Sequence, residues 1–583
     1  MIKYTCHNCN ELECETSVCP VCGNRATVKE VSFYYCHHCN VPCFDDVCPS
    51  CGEKADYIGT DVRPVFPEER LLLEVLLDEP MVFQKSSVWC VGTAVYLIDG
   101  KKKHVSLGDF RKKNPFEIRK QIERYSSDNK RISEHYETSE IIQKFIEVNK
   151  RRLASISDEA RAYLIERSKG FSTGEMFVSF SGGKDSTVTS DLVIKALGSE
   201  SIVHVYGDTT LEYPTTHQYV ERFRKAHPRT PFFVARNNDQ KFNDLCEKIG
   251  PPSRVMRWCC TVFKTGAITK TIEGMFGSLP KVLTFFGLRR MESKARSNYE
   301  RDTDESKITK QSVASPIIDW TTFDDWLYIL ANHLDFNDAY RLGFSRVGCW
   351  CCPNNTDWSA YLSSIYMPDE FNEFQKTLYD FAKKVGKKDW KTYVDEGMWK
   401  ARQGGNGLSL AKNTLVEFKP CAFDEKAVNF DLTRPIDQRL YTLFQPFGLL
   451  DFEMGNKELG EVYVLDALTK QPVIQIRGKI GTRHLRVAIL SRKGKFSVQK
   501  RAELFVSDQI TKFQTCIACG ACQSVCPFGA ITVKNLANGN VSTESVLYSI
   551  DSNKCKHCLE CVAHFDSGCY MKKVLRLKNG KAV

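Results

Sequence analysis

FVSFSGGKDS, residues Phe177 to Ser186, is the stretch that decides the fold. Its apolar run predicts a buried strand, and residues 185–197 have the pattern of the helix that leaves it. A glycine pair at a helix start lets backbone N–H groups approach phosphate oxygens closely. Lys184 adds a positive charge, and Asp185 is a candidate ligand for a Mg²⁺ ion bridging phosphates. A glycine-rich surface turn is disfavoured, because strand, loop and helix follow in the order that phosphate binding needs.

The lysine of this loop does not have the GxxxxGK[ST] spacing of the Walker loop. Residues 181–186 instead resemble the pyrophosphate loop (PP-loop) of ATP pyrophosphatases. Those enzymes split ATP between its α- and β-phosphates and adenylylate a substrate. The resemblance therefore implies ATP and Mg²⁺ as ligands of the loop.

Strands alternate with helices beyond the loop. Predicted elements are a strand over 202–208, a helix over 215–226, and strands over 232–235 and 282–286. This order predicts an α/β fold with a doubly wound parallel sheet. Ligands bind such sheets beyond the carboxyl ends of the strands, so the loop, residues 208–212 and residues 287–290 can share one site.

Five stretches carry a family resemblance: SGGKDS (181–186), YGDTTLEYP (206–214), GLRRMESKAR (287–296), PIIDW (316–320) and GCWCCP (348–353). With them, residues 177–353 resemble the phosphoadenosine phosphosulfate (PAPS) reductase family. That family includes sulfonucleotide reductases, the ATP sulfurylase small subunit and a sulfurtransferase of DNA phosphorothioation. The resemblance implies an adenine nucleotide α-hydrolase-like PP-loop domain that binds ATP, PAPS or adenylyl sulfate.

The same resemblance assigns roles to individual residues. The phosphate-binding set would be Ser181, Gly182, Gly183, Lys184, Asp185 and Ser186. Asp208 would lie near the metal or the ribose, and Arg289 and Arg296 would bind phosphate or sulfate oxygens. Lys184, Asp185, Asp208 and Arg289 are the expected catalytic residues. A guanidinium suits a tetrahedral oxyanion, although a surface ion pair is the common alternative for any single arginine.

Four cysteines of this region, Cys259, Cys260, Cys349 and Cys352, follow a CC…CxxC arrangement. It resembles the [4Fe–4S] ligand set of bacterial adenylyl-sulfate reductases. Four thiolates suit either iron–sulfur or zinc, and unligated thiols are the third alternative. The family resemblance favours a cluster. Cys351 is an extra thiol with no assigned role.

Two departures separate the chain from true reductases of the family. Those enzymes have a degenerate loop without the Lys-Asp pair, whereas this chain keeps Lys184 and Asp185. They also carry a nucleophilic cysteine in a C-terminal Glu-Cys-Gly-Leu-His tail, which this sequence lacks. The nearest stray thiol, Cys421, reads as structural. Both departures favour ATP-driven sulfur transfer over sulfonucleotide reduction.

The N-terminal segment contains an internal repeat of two CxxC pairs. The first four thiols are Cys6, Cys9, Cys19 and Cys22, and the second four are Cys36, Cys39, Cys48 and Cys51. Each set ends in a Cys-Pro-x-Cys-Gly knuckle whose turn directs both sulfurs at one tetrahedral Zn²⁺. Two zinc ribbons are predicted, with Cys14 and Cys43 left over. The ribbons either dock nucleic acid or only staple a module too small for its own core.

The C-terminal segment is predicted to be a ferredoxin domain with two [4Fe–4S] clusters. It contains the run Cys516, Cys519, Cys522 and Cys526-Pro527, then Cys555, Cys558, Cys561 and a late Cys569. Each fourth cysteine serves the other cluster in such folds. The first cluster would therefore use Cys516, Cys519, Cys522 and Cys569, and the second Cys555, Cys558, Cys561 and Cys526.

Composition bounds the compartment and the partners. The formal net charge of +10 over 583 residues permits a nucleic-acid partner without requiring one. The sequence contains no run of about 18 apolar residues, so no membrane span is predicted. The 26 cysteines fall largely in CxxC pairs with no signal peptide, which favours metal ligation in a reducing cytoplasm over disulfides. Oligomeric state is not indicated.

The predicted domains are two ribbons (1–58), a small β-rich domain (59–135), the PP-loop domain (136–365), a helical extension (366–430), a small β-rich module (431–510) and the ferredoxin domain (511–583). Residues 101–103 follow a hairpin turn as a lysine run, which is usually solvated but is also a candidate nucleic-acid contact.

Three functions are compatible with the sequence. The first is an ATP-dependent sulfurtransferase that adenylylates an acceptor, such as nucleic acid, and takes sulfur from sulfide or a cysteine desulfurase. The second is a ferredoxin-coupled PAPS or adenylyl-sulfate reductase that releases sulfite. The third is a non-catalytic nucleic-acid-binding or sensor protein.

Overall fold

The structure is a computed structural model. It describes residues 2–563 apart from 11, 15–18, 25, 106, 111, 129–137, 255, 294–295, 304–310, 402–416, 492–498 and 537–545. The chain forms two compact units. The first comprises Met1–Tyr206, Leu211–Val234 and Ser278–Asn372, and the second Gly207–Thr210, Ala235–Gly277 and Glu373–Val583.

A six-stranded sheet dominates the first unit. In spatial order its strands are Phe232–Arg236, Val203–Asp208, Met176–Phe180, Val282–Phe286, Gln311–Ala314 and Asp302–Thr303. Met176–Phe180 pairs in parallel with both of its neighbours, Val282–Phe286 pairs in parallel with Gln311–Ala314, and the short edge strand Asp302–Thr303 is antiparallel. Strands flanked by helices on both faces are buried on both faces, which explains their continuous apolar runs. The predicted doubly wound parallel sheet is confirmed.

Helices cover this sheet and bring the loop into position. The helices of this region are Ser139–Arg167, Lys184–Leu197, Pro214–Ala226, Thr322–Ala331 and Asp357–Tyr366. Val148, Ile156 and Leu164 lie on the buried stripe of the first of them. Thr321 begins the helix Thr322–Ala331 with a capping box, in which its hydroxyl accepts from the Asp324 amide.

The N-terminal segment forms two small sheets, one for each predicted ribbon. The strands are Leu12–Cys14, Ile2–Cys6 and Thr27–Val31 in the first, and Val41–Cys43, Phe33–Cys36 and Asp56–Gly59 in the second. A four-stranded sheet follows, with strands Lys101–His104, Val95–Ile98, Val88–Gly92 and Arg63–Pro64. Helices Pro67–Leu76, Leu107–Phe110 and Pro115–Asp128 accompany it, so residues 59–128 hold helices as well as the predicted strands.

The second unit begins with a helical layer. It contains the helix Phe242–Ile249, a π-helical turn Cys260–Thr265 and the helix Gly266–Phe276. Pro368–Lys384, which starts in the first unit, and Trp390–Asp395 are the helices of the predicted extension. Residues 402–416 of that extension lie outside the described residues.

A second, antiparallel sheet of six strands follows in the same unit. Its strands in spatial order are Glu417–Pro420, Ala427–Asp431, His484–Ile489, Pro472–Arg477, Glu461–Leu465 and Leu449–Asp451, with the helix Gln438–Thr442 inserted. The helix Gln499–Thr515 then occupies the end of the segment predicted as β-rich. Ala502, Phe505 and Val506 of this helix pack into the same core as the sheet.

The C-terminal part has the helix–hairpin–helix order of a small ferredoxin. The helix Ala521–Val525 precedes a hairpin of strands Ile531–Asn535 and Val546–Ile550, and the helix Glu560–Ala563 follows. Among the described residues of the whole chain, no helix combines the length and the apolar character that crossing a membrane requires.

Candidate functional site

The SGGKDS loop lies at the carboxyl end of the central strand and is held by its own side chains. Gly182 has a φ of +71°, a left-handed conformation that glycine adopts without strain. Ser186 is buried; its Oγ donates to the Gly183 carbonyl at 2.8 Å and accepts from the Ser181 amide at 3.1 Å. Ser181 itself is exposed. Ser186 therefore shapes the loop, and Ser181 is the hydroxyl of the pair that faces solvent.

Four charged side chains form a buried cluster beside the loop. Lys184 Nζ lies 2.9 Å from Asp185 Oδ2 and 2.8 Å from Asp325 Oδ2. Arg289 Nε pairs with Asp185 and lies 3.0 Å from Asp325 Oδ2. Only the Asp185 side chain is substantially exposed, at 22%. Two cations and two carboxylates thus balance one another at the start of the helix.

The two carboxylates of this cluster differ in acidity. Burial opposes ionisation of Asp185, but the charges of Arg289 and Lys184 hold its pKa well below its usual range. Burial raises the pKa of Asp325 to about 7, against the attraction of the same two cations. Asp325 Oδ1 is buried with no hydrogen-bond partner among the described residues. When Asp325 is protonated, the cluster carries one net positive charge, which favours a bound anion.

A short segment after the helix Thr322–Ala331 clamps the loop. The Tyr340 hydroxyl accepts from the Lys184 backbone amide at 3.0 Å. Asn337 Nδ2 donates to the Gly182 carbonyl at 3.1 Å and to Thr216 Oγ1 at 2.9 Å. The Lys184 amide is one of the backbone N–H groups that a helix start leaves without an intrahelical partner, and the clamp satisfies it.

Gly287 lies directly against the backbone of the loop. A Cβ built on it would lie 2.6 Å from the Asp185 carbonyl oxygen and 3.0 Å from the Ser186 amide nitrogen. No side chain fits there, so the strand Val282–Phe286 can deliver Arg289 to the loop only through a glycine.

The other predicted polar residues have partners of their own. Asp208 is buried; its Oδ2 accepts from Arg236 Nε at 2.9 Å and its Oδ1 from the Thr210 amide at 2.8 Å. Arg296 pairs with Glu292, which lies within the predicted GLRRMESKAR stretch. Lys294 lies outside the described residues. The roles of Asp208 and Arg296 on a nucleotide stay predictions.

Sequence reasoning missed Asp325, Asn337 and Tyr340. The signal for Asp325 was available, because it lies five residues after the PIIDW stretch, in the first turn of a capped helix, and is followed by an apolar run. Its buried position next to two cations marks it as a candidate site residue. Nothing local distinguishes Asn337 and Tyr340, which meet the loop across more than 150 residues of sequence.

The N-terminal thiols gather as predicted into two sets. All four ligand atoms of each set, Cys6, Cys9, Cys19 and Cys22, and Cys36, Cys39, Cys48 and Cys51, lie within 4.8 Å of one another. The leftover thiols stand outside: Cys14 donates to the Leu12 carbonyl and Cys43 to the Asp45 carbonyl. Four converging sulfurs fit one tetrahedral metal per ribbon, and zinc is the metal we propose.

Substituting a single thiol tests this arrangement. We expect Cys39→Ser to lower the bound zinc by one equivalent per chain, because Cys39 belongs to the second set and its Sγ lies 3.7 Å from Cys48 Sγ. Cys43→Ser, an equally buried control, should leave the zinc content unchanged. The zinc content of each variant is measured by inductively coupled plasma mass spectrometry. Equal zinc in the two variants would contradict the assignment.

The C-terminal cysteines line two separate cavities. One is walled by Cys526, Cys555, Cys558 and Cys561 together with apolar side chains such as Ile531 and Ile550. The other is walled by Cys516, Cys519 and Cys522 together with Ile249, Lys512 and Tyr548. Cys526 thus joins the later run, as the exchange of fourth ligands predicts, and these donor sets fit iron–sulfur clusters. Cys569 lies outside the described residues.

The predicted CC…CxxC set is divided between the two units. Cys349 and Cys352 belong to the first, and Cys259 and Cys260 to the second. The backbones of Glu212 and Cys349 form an isolated antiparallel β-bridge, and the Trp350 amide donates a hydrogen bond to the Leu211 carbonyl at 2.9 Å. The CxxC turn therefore lies against residues 211–212. Ligation of one metal by the four thiols stays a prediction.

Comparison with known proteins assigns both regions. Residues 175–355 match the phosphoadenosine phosphosulfate reductase domain, and residues 515–564 match the 4Fe-4S dicluster domain. An uncharacterized protein of Methanocaldococcus jannaschii is 31% identical over 225 residues, which are 39% of this chain and 45% of that protein. Adenosine 5'-phosphosulfate reductase of Anoxybacillus flavithermus is 27% identical over 184 residues, 30% of this chain and 72% of that enzyme.

The chain spans about half the length of the curated relatives that match it over the longest segments. A crystal structure of PAPS reductase from Candida auris overlaps 35% of this chain and 96% of that one, with a TM-score of 0.26 and 14% identity. The segments that match the two domains, residues 175–355 and 515–564, together make up less than half of the chain. The chain therefore contains a phosphoadenosine phosphosulfate reductase domain followed by a 4Fe-4S dicluster domain.

Proposed function

We propose that the chain is an iron–sulfur enzyme whose dicluster domain serves chemistry on an adenine nucleotide at the SGGKDS loop. One observation carries the proposal. The helix Ala521–Val525, which follows the first cysteines of the dicluster domain, packs against the turn Cys260–Thr265 of the PAPS reductase domain and against the helix Gly266–Phe276. The dicluster domain, acting as an electron carrier, would thereby lie in direct contact with the segment that begins at Cys260.

The contact between the two domains is tight. A Cβ built on Gly266 would lie 3.0 Å from the Ser524 carbonyl oxygen and 3.2 Å from Val525 Cγ1. Ile249, at the end of the helix Phe242–Ile249, lines the cavity of the first three dicluster cysteines. Clusters held by the dicluster cysteines would supply one-electron transfer. The residues of the contact would fix the separation between the dicluster domain and the turn Cys260–Thr265.

The nucleotide we propose first is ATP with Mg²⁺. Asp185 is ionised and partly exposed beside the loop, as a ligand of Mg²⁺ must be. Lys184 and Arg289, which pair with Asp185 beside the loop, would stabilise the negative charge that develops on a pyrophosphate leaving group. An acceptor oxygen would attack the α-phosphorus and release pyrophosphate. A sulfur nucleophile, sulfide or a persulfide, would then displace AMP from the adenylylated acceptor.

The acceptor and the sulfur source follow from this proposal only as classes. A nucleic-acid base or backbone is one candidate acceptor, with the two ribbons and residues 101–103 as its dock. Lys101 is exposed, but Lys103 pairs with Glu79, so only part of that run is available to phosphates. A cysteine desulfurase or free sulfide would supply sulfur, and a reducing cytoplasm would suit the cysteines.

A second candidate is reduction of adenylyl sulfate or PAPS to sulfite and the corresponding adenine nucleotide. The similarity to several adenosine 5'-phosphosulfate reductases favours it. Two electrons from the dicluster domain would reduce the sulfur as the S–O bond to the nucleotide breaks. The Lys184-Asp185 pair, which the degenerate loop of the reductases lacks, argues for the first candidate.

One pair of assays separates the two candidates. Anaerobic protein is given ATP, sulfide, titanium(III) citrate and a mixed RNA or DNA pool, and separately adenylyl sulfate or PAPS with titanium(III) citrate, a reductant that yields no sulfite. The first candidate expects pyrophosphate and AMP from ATP and no sulfite from the sulfonucleotides. Sulfite without pyrophosphate would establish the second candidate. Neither product from protein with full iron content would contradict the proposed function.

Separating the domains should slow electron delivery and leave the loop intact. We expect Gly266→Val to lower the rate of turnover driven by titanium(III) citrate at least tenfold, because the added side chain would clash with the Thr261 and Ser524 carbonyls. ATP affinity, measured by equilibrium dialysis, should stay within about twofold, because Gly266 lies outside the loop. Gly274→Ala on the same helix meets nothing within 4 Å and serves as the control. Unchanged turnover in Gly266→Val would contradict the proposed electron path.

A further inference from the structure

The second ribbon, residues 33–59, packs against a helix that holds the SGGKDS loop. Its strand Phe33–Cys36 carries a thiol of the second metal set and also Phe33, whose ring is buried. That ring stacks on the ring of Phe323, with centroids 4.9 Å apart. Phe323 lies in the first turn of the helix Thr322–Ala331, so the ribbon and the start of this helix share one hydrophobic core.

Polar contacts join the same ribbon to the helix Ser139–Arg167. Asn149 of this helix is buried; its Oδ1 accepts from the Phe44 amide at 3.1 Å, and its Nδ2 donates to the Pro42 carbonyl at 3.0 Å. The guanidinium of Arg152 lies over the Phe44 ring, 4.2 Å from its centroid. The helix therefore contacts both the backbone and a ring of the segment between the two CxxC pairs of the ribbon.

Arg152 also fixes the start of the helix Thr322–Ala331. Its Nε and Nη2 each donate to one carboxylate oxygen of Asp324, both at 3.0 Å. Asp324 is fully buried, and its Oδ2 accepts as well from the amide and the hydroxyl of Thr321, both at 2.9 Å. A guanidinium that binds a carboxylate through two hydrogen bonds fixes its orientation as well as its distance. One arginine thus connects the ribbon to the capping box.

The same helix start holds the loop at two points. Asp325 Oδ2 lies 2.8 Å from Lys184 Nζ and 3.0 Å from Arg289 Nε. Trp326 packs edge-on against Tyr340, with ring centroids 5.2 Å apart, and the Tyr340 hydroxyl accepts from the Lys184 amide. A shift of this helix start would therefore move both the carboxylate that holds the two cations and the tyrosine of the clamp.

We propose that Arg152 is a positioning residue through which the zinc-bound second ribbon supports the SGGKDS loop. A module as small as the ribbon has too little core to keep its fold without its metal. Loss of the zinc therefore releases Phe33 and Phe44 from the helices that they contact, and the start of the helix Thr322–Ala331 loses that support. The proposal rests on the proposed function of the loop, and it makes nucleotide affinity depend on zinc bound by the second thiol set.

Amide hydrogen exchange tests this support without any nucleotide. In the anaerobic full-length protein, we expect Cys39→Ser to speed exchange at least about tenfold in the helices Lys184–Leu197 and Thr322–Ala331. Cys43→Ser, which leaves the metal set intact, should not change exchange in either helix. The helix Gln499–Thr515 of the second unit is the internal reference. Unchanged exchange in the first two helices, or an equal rise in all three, would overturn the proposal.

Arg152→Met tests the connection while keeping all four thiols. We expect this variant to retain its zinc and to lose at least about fivefold in ATP affinity, measured by equilibrium dialysis with Mg²⁺. Arg152→Lys should recover only part of that loss, because an ammonium cannot form the two-point pair with Asp324. Arg151→Met, at the exposed neighbouring position, is the matched control and should bind ATP as the unaltered protein does.

The double variant Cys39→Ser, Arg152→Met shows whether ribbon and arginine act through one contact. It should bind ATP no more weakly than Cys39→Ser alone, because residues that share an interaction have non-additive effects. Additive losses, or full ATP affinity in zinc-loaded Arg152→Met, would overturn the proposal. If the unaltered protein bound no ATP, the proposed function would fail, and hydrogen exchange in Arg152→Met would still decide the role of Arg152: unchanged exchange in the helix Thr322–Ala331 would exclude it.

Discussion

Replacing Lys184 by methionine should abolish nucleotide turnover and also destabilise the loop. The ammonium group is 4% exposed and pairs with both Asp185 and Asp325. Its removal leaves two buried carboxylates with one guanidinium, and breaking a buried pair in this way costs about 3–5 kcal/mol. Loss of its charge from the leaving-group position should lower pyrophosphate release by at least about a hundredfold.

The two effects can be separated because Asp325 supplies the opposing charge. Asp325→Asn in the Lys184→Met background restores one cation against one carboxylate, Arg289 against Asp185. We expect the double variant to recover most of the lost stability, since neighbouring charges are not additive. Amide hydrogen exchange of the helix Lys184–Leu197 reports this stability. Pyrophosphate release should stay as low as in Lys184→Met.

The outcomes of that pair of variants are distinct. Recovery of both stability and turnover in the double variant would mean that Lys184 serves only to neutralise Asp325. Turnover near the unaltered level in Lys184→Met alone would remove the lysine from the chemistry altogether. Asp325→Asn alone is the matched single variant, and it should retain ATP affinity better than Lys184→Met because both cations remain.

Local pattern was enough to predict the central elements. The strand Val282–Phe286 was predicted with its observed bounds, and the helix after the loop begins one residue earlier than expected, at Lys184. Apolar runs of four to six residues and a glycine turn carry that information locally. The same is true of the cysteine sets, because a thiol pair three residues apart can direct both sulfurs at one metal.

Contacts across long sequence separations were not predictable. Asp325 meets Lys184 across 141 residues, and Tyr340 meets the Lys184 amide across 156. A single sequence does not show which residues of two distant segments will lie opposite each other, because that depends on how the sheet assembles. The helix Gln499–Thr515 is a different case, because Ala502, Phe505 and Val506 do repeat with helical spacing. The predicted β-rich module was extended to residue 510 because strand-like runs precede this helix.

Gly287→Val should disrupt the same loop without changing any charge. A Cβ at this position would lie 2.6 Å from the Asp185 carbonyl oxygen and 2.7 Å from its carbonyl carbon, both backbone atoms that cannot rotate away. Overpacking of this kind costs about 1–3 kcal/mol and shifts the backbone. Because the displaced peptide group joins Asp185 to Ser186 and includes the Ser186 amide, ATP affinity should fall at least tenfold.

Comparing Gly287→Ala with Gly287→Val tests whether the loss of ATP affinity follows the size of the added side chain. Gly287→Ala should show a smaller loss of ATP affinity than Gly287→Val, because only the Cβ intrudes and the two γ-carbons are absent. Gly274→Ala meets nothing within 4 Å in an exposed helical position and should stabilise its helix by about 0.5–1 kcal/mol. Equilibrium dialysis with ATP and Mg²⁺ measures all three proteins. If Gly287→Val bound ATP as tightly as Gly274→Ala, the loop would not be the nucleotide site, since its backbone could not move this far and still hold the phosphates.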